Sequence, residues 1–386
     1  MITRRGFIQL AAAGAAMLIA PRIVFARAAT DSRFIFIIQR GAADGLNIVI
    51  PYADPGYTAM RGELAIDTAT AIKLDGTFAL HPSLSQISKM YAQREALFVQ
   101  AIASPYRDRS HFDGQNVLET GGSAPFQIRD GWLNRLVGMI HGAPPTPHEN
   151  AIAFAPTIPL ALRGTTDIAS YAPSGLPRAP EDLLMRVSQL YAEDAQLHAL
   201  WESALETRGL VGNSEPRQDP ASIGKMAANV LSRADGPRIA MLETSGWDTH
   251  SAQTPRLASQ LKALDMLIAA LRDGLGPVWN NTVILVATEF GRTVAANGTD
   301  GTDHGTASAA MVIGGAVSGG RVMADWPGLR PGDLYESRDL KPTASLDALI
   351  AGLASESFHI DPGRITRTLF ARSPGITPMT GLLRSS

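Results

Sequence analysis

Four uninterrupted apolar runs mark the chain: FIFIIQR (34–40), ALFVQAIA (96–103), RIAMLET (238–244) and TVILVAT (282–288). Continuous rather than alternating apolarity is what strands buried on both faces show, as in a parallel sheet covered by helices. Apolar positions at helical spacing occupy 84–93, 110–120, 132–140, 181–207, 221–233, 256–272 and 344–355. Strands alternating with helices predict a doubly wound α/β domain. Residues 142–180, rich in Pro and Gly, read as a loop-rich insertion, and 181–233 as a second one.

In open α/β sheets ligands sit beyond the carboxyl ends of the strands. Each apolar run here is followed by polar sequence suited to a site: GAADG, SPYRDRSHF, SGWDTH and EFGRT in turn. Asp44 stands in the first of these, where a turn aspartate is the plain alternative. Ser110 and His111 follow Arg107 and Arg109 at a predicted helix start, where serine serves equally as an N-cap or as a hydroxyl facing an anion. Asp248 and His250 alternate, so an extended backbone points both to one side; the competing reading is a capping aspartate beside an exposed histidine. Glu289 ends the fourth strand, where a carboxylate must be paired or ligated, and Arg292 is a candidate partner. The loop NGTDGTDHGTAS (297–308) adds Asp303 and His304.

These residues predict a metal site of Asp44, Asp248, His250, Glu289 and His304, with His111 and Asp303 orienting the ligands from behind. Arg40, Arg107, Arg109 and Arg292 are the candidates for neutralising an anion. Carboxylate and imidazole donors suit Zn or Mn, and an oxygen-only subset would suit Mg or Ca. The chain has no cysteine, which excludes disulfides, thiolate metal sites and cysteine nucleophiles. Walker, dinucleotide-binding and G-x-S-x-G motifs are missing too.

Charge changes the picture at one end only. Arg4, Arg5, Arg22 and Arg27 lie in the first 28 residues, which hold no acid; the remainder carries 30 basic against 36 acidic residues. A mildly acidic body argues against a nucleic-acid partner. TRRGFIQ, then LAAAGAAMLIA, then PRIVFARAA, give the charged, apolar and small-residue order of a twin-arginine export signal over 1–28. No later run is long and apolar enough to span a bilayer. The expectation is a protein handled by the twin-arginine translocase, periplasmic or secreted, with one domain over 29–386.

The series RGAADGLNIVIPYADPGYTAMR, ALHPSL, RSHFDGQ, GWDTHSAQ, ATEFGRTVAANG and GTDHG resembles a large bacterial family of exported proteins labelled a domain of unknown function. That family is grouped with the alkaline phosphatase and sulfatase superfamily. The resemblance implies an α/β sandwich with a central, mostly parallel sheet flanked by helices, and divalent metals. Asp44, Asp248, His250 and His304 match metal positions, and Ser110 matches the nucleophile. Where the superfamily has an Asp-His pair this chain reads Glu289-Phe290, one imidazole fewer. The implied function is a metal-dependent hydrolase of a small phosphate or sulfate ester. The alternative is a non-catalytic periplasmic binding or assembly protein keeping a degenerate metal site.

Overall fold

The computed structural model describes residues 31–140, 150–172, 181–192, 194, 197–202, 204–205, 219–373 and 375–384. The proposed signal, residues 1–28, lies outside the described residues, as do 141–149 and 173–180. In chain order the strands are β1 (Arg33–Gln39), β2 (Val49–Ile50), β3 (Ile72–Lys73), β4 (Ala79–Leu80), β5 (Ala96–Ala103), β6 (Ala151–Phe154), β7 (Ala169–Ser170), β8 (Ile239–Thr244), β9 (Thr282–Thr288), β10 (Ser308–Ile313), β11 (Arg321–Met323) and β12 (Ala344–Ser345).

Nine of them form one sheet in the order β11-β5-β10-β9-β1-β8-β6-β7, with β12 also paired to β5. Every pairing is parallel except the two made by β10. The remaining three strands make a small sheet, β2-β4-β3.

Side-chain alternation along the strands builds a core on each face. Ile35 and Ile37 of β1, with Ile284 and Val286 of β9, pack against Leu257, Leu261, Leu264 and Ile268 of the helix Gln253–Leu275. The helices Pro220–Leu231 and Ser85–Ala92 complete that layer. Phe34, Phe36 and Ile38 face Trp132 and Leu136 of the helix Trp132–Met139, with Leu349, Ile350 and Leu353 of Leu346–Phe358 beside them. The expected fold class, a mostly parallel central sheet with helices on both faces, is the one observed. No helix among the described residues is long and apolar enough to cross a membrane.

Two stretches differ from their sequence reading. The helical pattern over 181–207 is interrupted: a helix runs Glu181–Tyr191, and helical residues resume at 197–202. Asp194 is the cause, because its side chain accepts from the Leu197 amide at 3.0 Å and so caps a new helix. Trp201 donates through Nε1 to Ser188 Oγ at 2.6 Å, folding the second piece against the first. The described part of 142–180 is more than loop, since it supplies β6 and β7 at one edge of the main sheet.

Candidate metal centre

The direction of β10 decides what meets at the carboxyl edge. Because β10 runs antiparallel to its neighbours, the loop preceding it joins the exits of β1, β5, β8 and β9 there. The buried guanidinium of Arg292 ties these segments together. It donates to the carbonyls of Ala42 (2.8 Å), Gly41 (3.0 Å), Trp247 (3.1 Å) and Thr302 (3.0 Å), and to Asp248 Oδ1. Gly41, at φ 119°, permits this approach, since a Cβ there would lie 2.6 Å from the Asp248 nitrogen. Gly301 does the same for the loop, where a Cβ would lie 2.3 Å from the His250 carbonyl carbon.

His111, Asp248 and His304 offer ligand atoms that all lie within 4.8 Å of one another. His250 adds a fourth donor, its Nε2 at 3.0 Å from His304 Nε2 and 3.1 Å from Asp248 Oδ1. His304 Nε2 is 3.3 Å from that same oxygen.

Each ring is held from behind. His111 Nδ1 is 2.8 Å from Glu289 Oε1, His250 Nδ1 is 3.2 Å from Asp303 Oδ1, and His304 Nδ1 is 2.9 Å from the Arg109 carbonyl. A carbonyl or an ionised carboxylate can only accept, so each neutral ring carries its proton on Nδ1 and its lone pair on Nε2. Two such lone pairs 3.0 Å apart repel unless a cation lies with them. His111 Nε2 is buried without a hydrogen-bond partner, and its approach of 3.5 Å to Asp248 Oδ2 is too long for one. Three imidazole nitrogens converging on a carboxylate, one of them without a hydrogen-bond partner and each ring backed by an acceptor, fit a divalent transition metal.

The same contacts shift the titration of these groups. The hydrogen bond that His111 donates to Glu289 raises the His111 pKa above its ordinary value. Burial, then the charge of His111, lowers that of His304. Burial works to raise the Asp248 and Glu289 carboxyls, yet both end below the usual range, through Arg292 for the first and through His111 and Gln115 for the second. The hydrogen bond from Asn297 holds Asp303 down as well.

The structure exchanges the places of two residues. Glu289 is fully buried and lies behind His111, accepting from the Gly41 amide at 2.9 Å and Gln115 Nε2 at 3.0 Å; His111 turns its free nitrogen to the centre. Phe290, buried beside it, stacks on the His111 ring at 5.1 Å and lies 5.3 Å from His304, so it is the apolar floor beneath the imidazoles. Asp44 is not brought to the centre. Both its oxygens accept from Arg61 at 2.7 Å, with Gln253 Nε2 at 2.6 Å, because Arg61 enters from the helix Pro55–Arg61. Neither Arg61 nor Gln253 carries a sequence signal that would have named it.

The four candidate anion-binding arginines divide sharply. Arg40 is bound by Glu119 and Glu243, Arg109 by Asp339 and Glu336, and Arg292 by the carbonyls above and Asp248. Arg107 differs, since it donates through one nitrogen to the carbonyls of Ser104 and Tyr106. Ser110 occupies the N-cap position of the helix His111–Thr120, yet its side chain caps no helix amide. Arg109, just before it, has φ 61°, an uncommon conformation for a residue other than glycine.

Burial raises the pKa of Asp347, which feels the charge of Arg107, from 3.8 to about 7. A folded pKa above the unfolded one makes this carboxyl's stabilising contribution greatest below about pH 4. It is then lost, by up to about 1.4 kcal/mol per pH unit, as pH rises to 7. Asp347→Asn should therefore gain melting temperature over the wild type by several degrees more at pH 8 than at pH 5. An unchanged difference between the two pH values would show that Asp347 titrates normally.

The fold and centre together define a three-layer α/β protein with a histidine–carboxylate cluster at the carboxyl edge of its sheet. Residues 73–370 match the family described as "Protein of unknown function (DUF1501)", and the chain belongs to that family. No curated protein matches it in sequence. Among solved structures it is similar to a putative sulfatase from Bacteroides thetaiotaomicron, with 8% identity over 90% of this chain and 76% of that one and a TM-score of 0.39. It is also similar to the lipoteichoic acid synthase LtaP from Listeria monocytogenes (10% identity, 92% and 75% covered, TM-score 0.36). A third is the C-terminal periplasmic domain of EcEptC from Escherichia coli, in complex with Zn (8%, 74% and 74%, 0.37). Likeness this distant concerns chain path alone, and the chemistry has to rest on this chain's own side chains.

Proposed function

We propose that the protein is an exported, metal-dependent hydrolase of a phosphate or sulfate ester, with the metal held by His111, Asp248, His250 and His304. The observation that carries this reading is the convergence of three imidazole Nε2 atoms on Asp248, each ring fixed through Nδ1. Three imidazoles and one carboxylate favour Zn or Mn over Mg or Ca, which prefer all-oxygen shells. When bound, the ion supplies Lewis-acid polarisation of an ester oxygen. The chain's own groups do the rest. Arg107, with donors to spare, steadies the anion; Ser110, next to His111 and not spent on its helix, is the nucleophile. Export over residues 1–28 by the twin-arginine translocase, and one domain over 29–386, complete the reading.

The second reading, a non-catalytic periplasmic binding or assembly protein, draws support from the full engagement of Arg40, Arg109 and Arg292 by the protein itself. An assay separates the two. Metal content is measured on protein purified without chelators, and the Zn- and Mn-loaded forms are then offered aryl phosphates and aryl sulfates. Turnover lost in Ser110→Ala supports the hydrolase. Full metal occupancy without turnover of either ester would sink it in favour of the binding protein.

Glu289 allows a finer measurement. Glu289→Gln keeps the volume and an acceptor for His111 but removes the charge behind the ring. Metal affinity should fall about 10–100-fold, the usual cost of an orienting carboxylate. Competition with a chromophoric chelator measures it, and an unchanged affinity would take Glu289 out of the centre.

A further inference from the structure

Two phenyl rings stand exposed on or against the helix that carries His111, and no ring or hydrophobic-cluster contact among the described residues covers them. Phe112, directly after His111, is 85% exposed, and Phe126 is 69% exposed. Phe126 also has φ 60°, a left-handed conformation that costs a residue with a Cβ on the order of 1–2 kcal/mol. Strain of this sort persists where the surroundings hold it, and here the Asn116 side chain accepts from the Phe126 amide at 2.7 Å. Asn116 lies one helical turn after Phe112, on the same face of His111–Thr120. That face is adjacent to the one on which His111 and Gln115, also one turn apart, both contact Glu289. One short helix thus carries a proposed metal ligand and an exposed ring side by side, and fixes a second ring with its own amide side chain.

We infer that Phe112 and Phe126 form the rim that receives the organic half of the ester, and that this half presents a flat ring rather than an acyl chain. The inference rests on the hydrolase reading above. An acyl chain calls for a continuous aliphatic groove, whereas the polar side chain of Asn116, one turn after Phe112 and bonded to the Phe126 amide, stands between the two positions. Isolated aromatic faces with polar neighbours suit a ring that stacks on its face and hydrogen-bonds at its edges.

Phosphonates, which are not hydrolysed, test this without turnover. Phenyl-, hexyl- and methylphosphonate are titrated calorimetrically into the Zn-loaded full chain. Phenylphosphonate should bind about tenfold more tightly than methylphosphonate, and more tightly than hexylphosphonate of equal carbon number. The phenyl-to-methyl ratio should fall to about threefold or less in Phe112→Ala/Phe126→Ala and be restored in Phe112→Tyr/Phe126→Tyr, which keeps the rings. A ratio unmoved by the alanines overturns the rim. So does hexylphosphonate matching phenylphosphonate, or an alanine variant that turns a dimer into a monomer at constant ratio, which would make the rings a subunit contact. Equal binding of all three phosphonates overturns the rim and leaves the hydrolase reading standing; binding of none overturns both.

Discussion

Replacing His304 with alanine is expected to lower the affinity for Zn or Mn by more than the roughly 100-fold that marks the upper cost of losing an outer partner. His304 is the hinge of the cluster: its Nε2 faces His250 and Asp248, its ring edge meets His111 at 4.3 Å, and its Nδ1 is fixed by the Arg109 carbonyl. Removing it leaves Asp248 with two imidazoles and opens the gap between them. The fold should survive, because His304 sits in a loop and keeps 26% of its side chain exposed. Thermal melting separates ligand loss from misfolding. Metal at about 100 times its dissociation constant stabilises a protein by roughly 2.7 kcal/mol, and that increment should vanish in the variant while the melt in chelator stays close to the wild type. A variant that keeps its metal-dependent rise in melting temperature would remove His304 from the centre.

What the sequence made legible follows from where local pattern and tertiary structure agree. The runs ALFVQAIA and TVILVAT coincide with β5 and β9 because both faces of these strands are covered, so nearly every position is apolar and all are buried. β10 has a comparable run, SAAMVI, yet it follows a polar loop instead of a helix and runs antiparallel to both its neighbours, so the strand–helix alternation does not point to it. Periodicity continued through Asp194 because an N-cap inside a helical pattern looks like another polar position. At the centre, the proposed ligands in GWDTH and GTDHG could be read together because each pair lies in one short segment, the first after β8 and the second before β10. The exchange between Glu289 and His111 could not be read, since it depends on which nitrogen of a ring faces inward. That is settled by how the helix His111–Thr120 lies across the end of β9, at a separation in sequence that no local spacing encodes.

Breaking the Asp44–Arg61 pair is expected to be the most destabilising change available at this edge of the sheet. Asp44 and Arg61 are 1% and 0% exposed and share two bonds of 2.7 Å, and the remaining capacity of the carboxylate is taken by Gln253 Nε2 and the Leu46 amide. Asp44→Ala leaves a guanidinium buried without its counter-charge, a loss of about 3–5 kcal/mol. The consequence does not stop there. Gln253 in turn accepts from Thr249 at 2.9 Å and from Thr302 at 2.6 Å, the residues next to Asp248, His250 and Asp303. Asp44 therefore supports the two loops that carry the imidazoles from underneath, which gives it a part in the centre without ligation. Denaturant unfolding of Asp44→Ala, Arg61→Met and the double variant measures the coupling, and the double variant should be less destabilised than the sum of the singles. Metal stoichiometry at temperatures where Asp44→Ala is still folded should equal that of the wild type. A folded Asp44→Ala protein that binds no metal would return Asp44 to the ligand set and reverse the assignment made from its ion pair.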